Sequence, residues 1–145
     1  MRIFETMSAD ETFACARKIA EQAEPGQVYA LIGDLGAGKT VFAQGFARGL
    51  GVDDYVNSPT FTILQIYEDG RIPFYHFDVY RIEESEEMEE VGFDDYICGD
   101  GVCLIEWAGR IEELMPEDTI TVTIEKDLNR GPDYRRITID ENTCY

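Results

Sequence analysis

Gly33-Asp34-Leu35-Gly36-Ala37-Gly38-Lys39-Thr40 matches G-x-x-x-x-G-K-[ST] in full. Glycines let successive backbone N–H groups wrap an anion, because side chains there would clash or forbid the dihedrals. Lys39 then reaches the β- and γ-phosphates of a nucleoside triphosphate, and the Thr40 hydroxyl ligates Mg2+. The helix that follows points its positive end at the same anion, which adds Val41 in the first turn to the phosphate-binding residues. The pattern therefore predicts a nucleoside triphosphate and Mg2+ as ligands.

Such a loop needs a carboxylate at the end of a buried strand to hold the metal or its water. Val102-Cys103-Leu104-Ile105-Glu106 and Phe74-Tyr75-His76-Phe77-Asp78 both end apolar or aromatic runs in an acid. Glu106 is taken for the metal and Asp78 for orienting water or supporting the metal ligands. Either could instead be a solvated strand end. In Asn57-Ser58-Pro59-Thr60-Phe61-Thr62, Thr60 has the chemistry to sense a γ-phosphate; a turn capped by Asn and Ser is the alternative. Trp107, the only tryptophan, either covers the phosphate site or packs in the core. His76 reads as a structural histidine before it reads as a base.

These residues need a scaffold. Ser8 to Ala23 carries apolar residues at helical spacing, opened by Ser8 with Glu11 and stopped by Pro25-Gly26. Val28 to Ile32 reads as a buried parallel strand ahead of the loop, and Lys39 to Leu50 as the helix after it, closed by Gly51. Phe61 to Tyr67 and Ile72 to Tyr80 flank Glu68-Asp69-Gly70-Arg71, where Asp-Gly signals a hairpin. Glu83 to Val91 is read as helix, Val102 to Ile105 as buried strand and Arg110 to Leu114 as short helix. Thr119 to Glu125 and Arg136 to Ile139 make a final antiparallel pair. The expectation is an α/β fold, a P-loop NTPase-like three-layer sandwich whose mixed sheet has a parallel core and antiparallel additions.

A chain of 145 residues without repeats or linkers is expected to be one domain, 1–145. It carries 12 Lys and Arg against 30 Asp and Glu, a net charge of −18. That surface repels phosphate backbones, so autonomous, non-specific binding to RNA, DNA or anionic membrane is not expected of the chain alone. Acid is concentrated from Glu83 to Asp95, as a docking surface or simply a solvated face. No apolar run approaches the roughly 20 residues of a membrane span. Cys15, Cys98, Cys103 and Cys144 form no C-x-x-C pair and lie far from His76, the only histidine. They read as reduced, mostly buried thiols in a cytoplasmic protein.

The loop, then Ser58-Pro59-Thr60-Phe61-Thr62, then His76-Phe77-Asp78-Val79-Tyr80-Arg81, then Leu104-Ile105-Glu106-Trp107 together resemble the TsaE family, bacterial ATPases of tRNA threonylcarbamoyladenosine biosynthesis. The resemblance runs to about Ile124. It implies a cytoplasmic P-loop ATPase that works with the TsaB and TsaD proteins and resets that complex between turnovers. It also implies phosphate contacts from Lys39 and the loop glycines, Mg2+ on Thr40 and Glu106, hydrolysis supported by Asp78 and a switch at Thr60. Thr12, in a Glu-Thr block, would lie by the nucleotide. Arg130, Arg135 and Arg136 find no match; an arginine there could approach the phosphates, but none is placed in the site. The competing readings are a small-molecule kinase, which this length and few basic residues leave little room for, and a nucleotide-gated adaptor with negligible intrinsic hydrolysis. A GTPase lacks its Asn-Lys-x-Asp: Lys126-Asp127 has no such frame.

Overall fold

Apolar runs without alternation need cover on both faces, and two of them, Val28–Ile32 and Val102–Glu106, lie side by side in the middle of the sheet. The structure is a computed structural model, and it describes every residue except Leu35, Tyr55, Ser58, Thr60 and 142–145. Among the described residues the sheet has strands β1 (Arg2–Thr6), β2 (Val28–Ile32), β3 (Leu64–Tyr67), β4 (Phe74–Asp78), β5 (Val102–Glu106), β6 (Ile120–Lys126) and β7 (Arg135–Asp140). They run in the order β1-β7-β6-β2-β5-β4-β3. β6, β2, β5 and β4 pair in parallel, while β3, β7 and β1 add antiparallel edges.

Alternate residues of each strand face opposite sides, and the two sides are covered differently. Tyr29, Leu31 and Leu104 pack with Ile19, Phe42 and Phe46 of the long helices α1 (Ala9–Glu21) and α2 (Lys39–Gly49). Val28, Ala30, Cys103 and Ile105 pack with Met88 of α3 (Glu87–Glu90), Phe93 of α4 (Phe93–Ile97) and Ile111 of the 3-10 segment Ala108–Leu114. The result is the expected three-layer sandwich. α1 begins as its sequence dictates: the Ser8 side chain accepts from Glu11 N at 3.1 Å, and Glu11 Oε1 accepts from Met7 N.

Four expectations change. β1 was not foreseen, since four of its five residues are exposed and its order comes from pairing with β7. The hairpin exists as expected, but its strands are shorter: Tyr67 pairs with Phe74, so residues 68–73 connect them rather than 68–71. Gly70 in that connection also makes a close contact: a Cβ would stand 2.4 Å from Leu50 O. The acidic segment holds one helical turn rather than a helix from Glu83, with Met88 and Phe93 buried beneath exposed carboxylates. Glu87 accepts from the Glu83 and Glu84 amides, which holds it below the usual carboxylate range. Finally, of the thiols only Cys103 is buried. Cys15 is half-buried, Cys98 is exposed at the end of α4, and all three are free; Cys144 lies outside the described residues. No described helix is long and apolar enough to cross a membrane.

Burial pushes the Cys103 thiol from 9.0 up to about 12 and the Tyr29 hydroxyl from 10.0 up to about 12. The folded state keeps protons that the unfolded chain releases earlier, so stability is intact at neutral pH and falls as pH rises from about 9 toward 12. Three units at Cys103 correspond to a loss on the order of 4 kcal/mol. Urea melts across this range should show the decline, and Cys103→Ala should shrink it, leaving the part that comes from Cys15 and Tyr29, both also pushed up by burial.

Candidate functional site

Parallel pairing brings the carboxyl ends of β2, β5 and β4 to one edge, with Leu31 opposite Glu106 and Glu106 opposite Asp78. The loop leaves β2 at this edge and enters α2 at Lys39. Gly36 has φ +79° and Gly38 φ +103°, left-handed conformations that a side chain would strain. These two glycines are therefore required by the curvature of the loop itself.

Residues two apart on a strand share a face, so His76, Asp78 and Glu106 all project toward the side covered by α1 and α2. Asp78 and Glu106 are 2% and 3% exposed, and Lys39 is 7% exposed. Burial pulls the Lys39 ammonium below the ordinary lysine range, against the negative charges of Glu106, Asp78 and Asp34, which draw it back up. Its Nζ lies 3.8 Å from the centre of the Trp107 ring, a cation–π contact. Trp107 thus borders the site while its ring also packs against the core on the α3–α4 side.

The carboxylates are held in place. Glu106 Oε2 stands 2.7 Å from His76 Nε2 in a fully buried contact. An ionised carboxylate only accepts, so Nε2 carries the hydrogen. Among the described residues the other Glu106 oxygen has no protein hydrogen bond, and Glu106 lines a cavity of about 560 Å3 together with Gly38, Lys39, Thr40, Asp78 and Trp107. Asp78 Oδ1 accepts from Tyr80 N, and Asp78 N donates to Ile63 O. Ile63 and Trp107 are the described non-glycine residues with positive φ, +69° and +64°. Each adjoins a residue bearing a site carboxylate, Trp107 by the chain and Ile63 by that backbone hydrogen bond, a placement typical of strain at functional sites.

Of the residues singled out in the sequence, Gly36, Gly38, Lys39, Thr40, Val41, Asp78 and Glu106 line this one cavity. Gly33, Asp34 and Ala37 line an adjoining cavity of about 820 Å3 between the ends of β2 and β6 and the 3-10 segment, with Lys39 and Trp107 common to both. Leu35, Ser58 and Thr60 lie outside the described residues. Thr12 is buried on α1, its hydroxyl 2.7 Å from that of Thr6. Arg135, left outside the site on sequence grounds, is at its rim: Nε donates to Ala37 O at 2.8 Å. Its number in the chain gave no sign of this, because the contact spans 98 residues.

The donors available to a metal are oxygens, the Thr40 hydroxyl and the Glu106 carboxylate with Asp78 beside it. Among the described residues no group of three or more His, Cys, Asp or Glu could hold a metal unaided. This suits a small hard cation that shares phosphate oxygens and keeps some of its water, as Mg2+ does.

A glycine-rich loop between a central parallel strand and a helix, facing acids on the neighbouring strands, defines the P-loop NTPase class of α/β protein. The family described as "Threonylcarbamoyl adenosine biosynthesis protein TsaE" matches residues 6–137, beyond the limit near Ile124 that the motifs suggest. The chain is 51% identical over 133 residues to the Bacillus subtilis tRNA threonylcarbamoyladenosine biosynthesis protein TsaE, covering 92% of this chain and 81% of that one. It is 41% identical over 117 residues to the Treponema pallidum protein of the same name, covering 81% and 86%. The crystal structure of Bacillus subtilis YdiB superposes with a TM-score of 0.84 at 43% identity, over 98% of this chain and 86% of that one. The chain belongs to the TsaE family.

The Lys39–Trp107 contact has a direct optical readout, since Trp107 is the only tryptophan. Lys39→Ala should change the emission of the ligand-free protein by removing a charge from the ring face; an identical spectrum would place the ammonium elsewhere.

Proposed function

We propose that this protein is a Mg2+-dependent ATPase of tRNA threonylcarbamoyladenosine biosynthesis, which acts on the TsaB–TsaD complex and resets it between turnovers. The observation that supports this best is the convergence of Lys39, the left-handed loop glycines, Asp78 and Glu106 on one cavity. The family membership supports the pathway, through the names of the relatives. The net charge of −18 favours a protein over tRNA as the direct contact. A tRNA-modification role goes with a cytoplasmic location.

In this reading the loop amides and Lys39 bind the β- and γ-phosphates, and the helix α2 adds its positive end. Thr40 and Glu106 would hold Mg2+, with His76 fixing the Glu106 carboxylate through Oε2. Bound there, the cation neutralises charge developing on the phosphates. Asp78, held by the Tyr80 amide, orients the attacking water. The Trp107 ring and the buried Asp78–Glu106 edge limit solvent access to the reacting end. Thr60 would act as the γ-phosphate sensor.

Phosphate release with and without TsaB–TsaD tests the proposal. Lys39→Ala should weaken nucleotide binding by about 1.5–3 kcal/mol, the range for a charge-assisted contact. Glu106→Gln should keep the fold and bind nucleotide, yet lose Mg2+-dependent hydrolysis; full turnover in that variant would move the metal role to Asp78. Stoichiometric ADP formation only when an acceptor metabolite is supplied would make the protein a kinase. Nucleotide-dependent complex formation without phosphate release would make it an adaptor.

A further inference from the structure

Arg135 opens β7, opposite Thr6 of β1 and Lys126 of β6. Its neighbours in sequence behave as ordinary surface arginines. Arg136 pairs with Glu125, and Arg130 pairs with Glu5 while stacking on Tyr134. Arg135 is different: half-buried, it makes its hydrogen bonds to backbone carbonyls. Nη1 donates to Pro132 O at 2.9 Å and Tyr134 O at 2.7 Å, which fixes the guanidinium to its own turn. Nε donates to Ala37 O at 2.8 Å, and Nη2 approaches Gly36 O at 3.5 Å.

Both of those carbonyls belong to the phosphate loop, and peptide geometry gives the contact a consequence. In a trans peptide the carbonyl and the following N–H point in opposite directions. Holding Ala37 O toward the guanidinium therefore turns Gly38 N–H away from it. Ala37 N–H is already used, donating to Asp34 O at 3.0 Å, whereas Gly38 N–H has no acceptor among the described residues. Gly38 also stands at φ +103°, ψ 20° as the N-cap of α2, so the peptide plane it shares with Ala37 sets which way this amide faces.

We infer that Arg135 is a positioning residue for the phosphate loop: it grips the Ala37 carbonyl so that the Gly38 amide is presented to the β-phosphate of a bound nucleotide. This inference rests on the nucleotide reading of the site. The role needs a fork, with one donor anchored at Pro132 and Tyr134 while another reaches Ala37. A lysine ammonium lacks that rigid geometry.

The test compares AMP, ADP and ATP binding by calorimetry in the wild type, Arg135→Lys and Arg135→Ala, with thermal unfolding measured alongside. A presented Gly38 amide contributes to the β-phosphate, so both variants should lose about tenfold or more of the preference for ADP over AMP, while AMP affinity and the ATP-to-ADP ratio stay near wild type. A merely structural role would lower the unfolding temperature and leave the ADP-to-AMP ratio intact, which overturns the inference. A loss confined to the ATP-to-ADP ratio would instead mean direct contact with the γ-phosphate, and also overturns it. In the wild type, ADP but not AMP should shift the Gly38 amide resonance; a resonance unmoved by bound ADP rejects the inference without any variant. If the wild type binds no nucleotide, the functional reading of the site fails, and the inference falls with it.

Discussion

A buried ammonium must be answered by negative charge, and the site is arranged around that demand at Lys39. Desolvation works against its positive charge, while Glu106, Asp78 and Asp34 work for it. The two buried carboxylates in turn are tolerable only because each has its own partner, His76 Nε2 for Glu106 and the Tyr80 amide for Asp78. Lys39 thus draws on three acids at once, and no single carboxylate carries the whole of its compensation. A nucleotide phosphate would enter this balance as further negative charge beside a cation that already favours it.

The sheet makes the arrangement possible. Only parallel pairing sets the carboxyl ends of β2, β5 and β4 in register, and only the two-residue repeat sends His76, Asp78 and Glu106 to the face where α2 begins. The two strained positions, Ile63 and Trp107, lie where chain leaving or approaching those strand ends must turn sharply. Strain of this kind persists when the surroundings overdetermine it, as the buried Asp78–Glu106 edge does here.

How much of this the sequence disclosed depended on the range of the interaction. β2, β5 and the loop were legible because burial on both faces and a glycine-rich turn are local demands written in consecutive residues. Asp78 and Glu106 were legible because an acid ending an apolar run stands out. β1 was not, because Arg2–Thr6 has no buried stripe and is ordered by a backbone ladder to β7. The hairpin around Gly70 was legible but its length was not, because the packing of Gly70 against Leu50 O belongs to the fold and not to the local sequence. Arg135 was left out for a similar reason: its partners are main-chain carbonyls, which have no residue identity to match.

The place of β1 also bears on how the chain reaches this state. β1 emerges from the ribosome before every other strand of the sheet, yet its one neighbour, β7, is the last of them to emerge. It must wait unpaired through the synthesis of all the rest, and the same late strand carries the arginine that grips the loop. Pairings so distant in sequence are slow to close. The segment holding the glycine-rich loop is thus translated early but completed late, when Arg135 of the last strand reaches the Ala37 carbonyl.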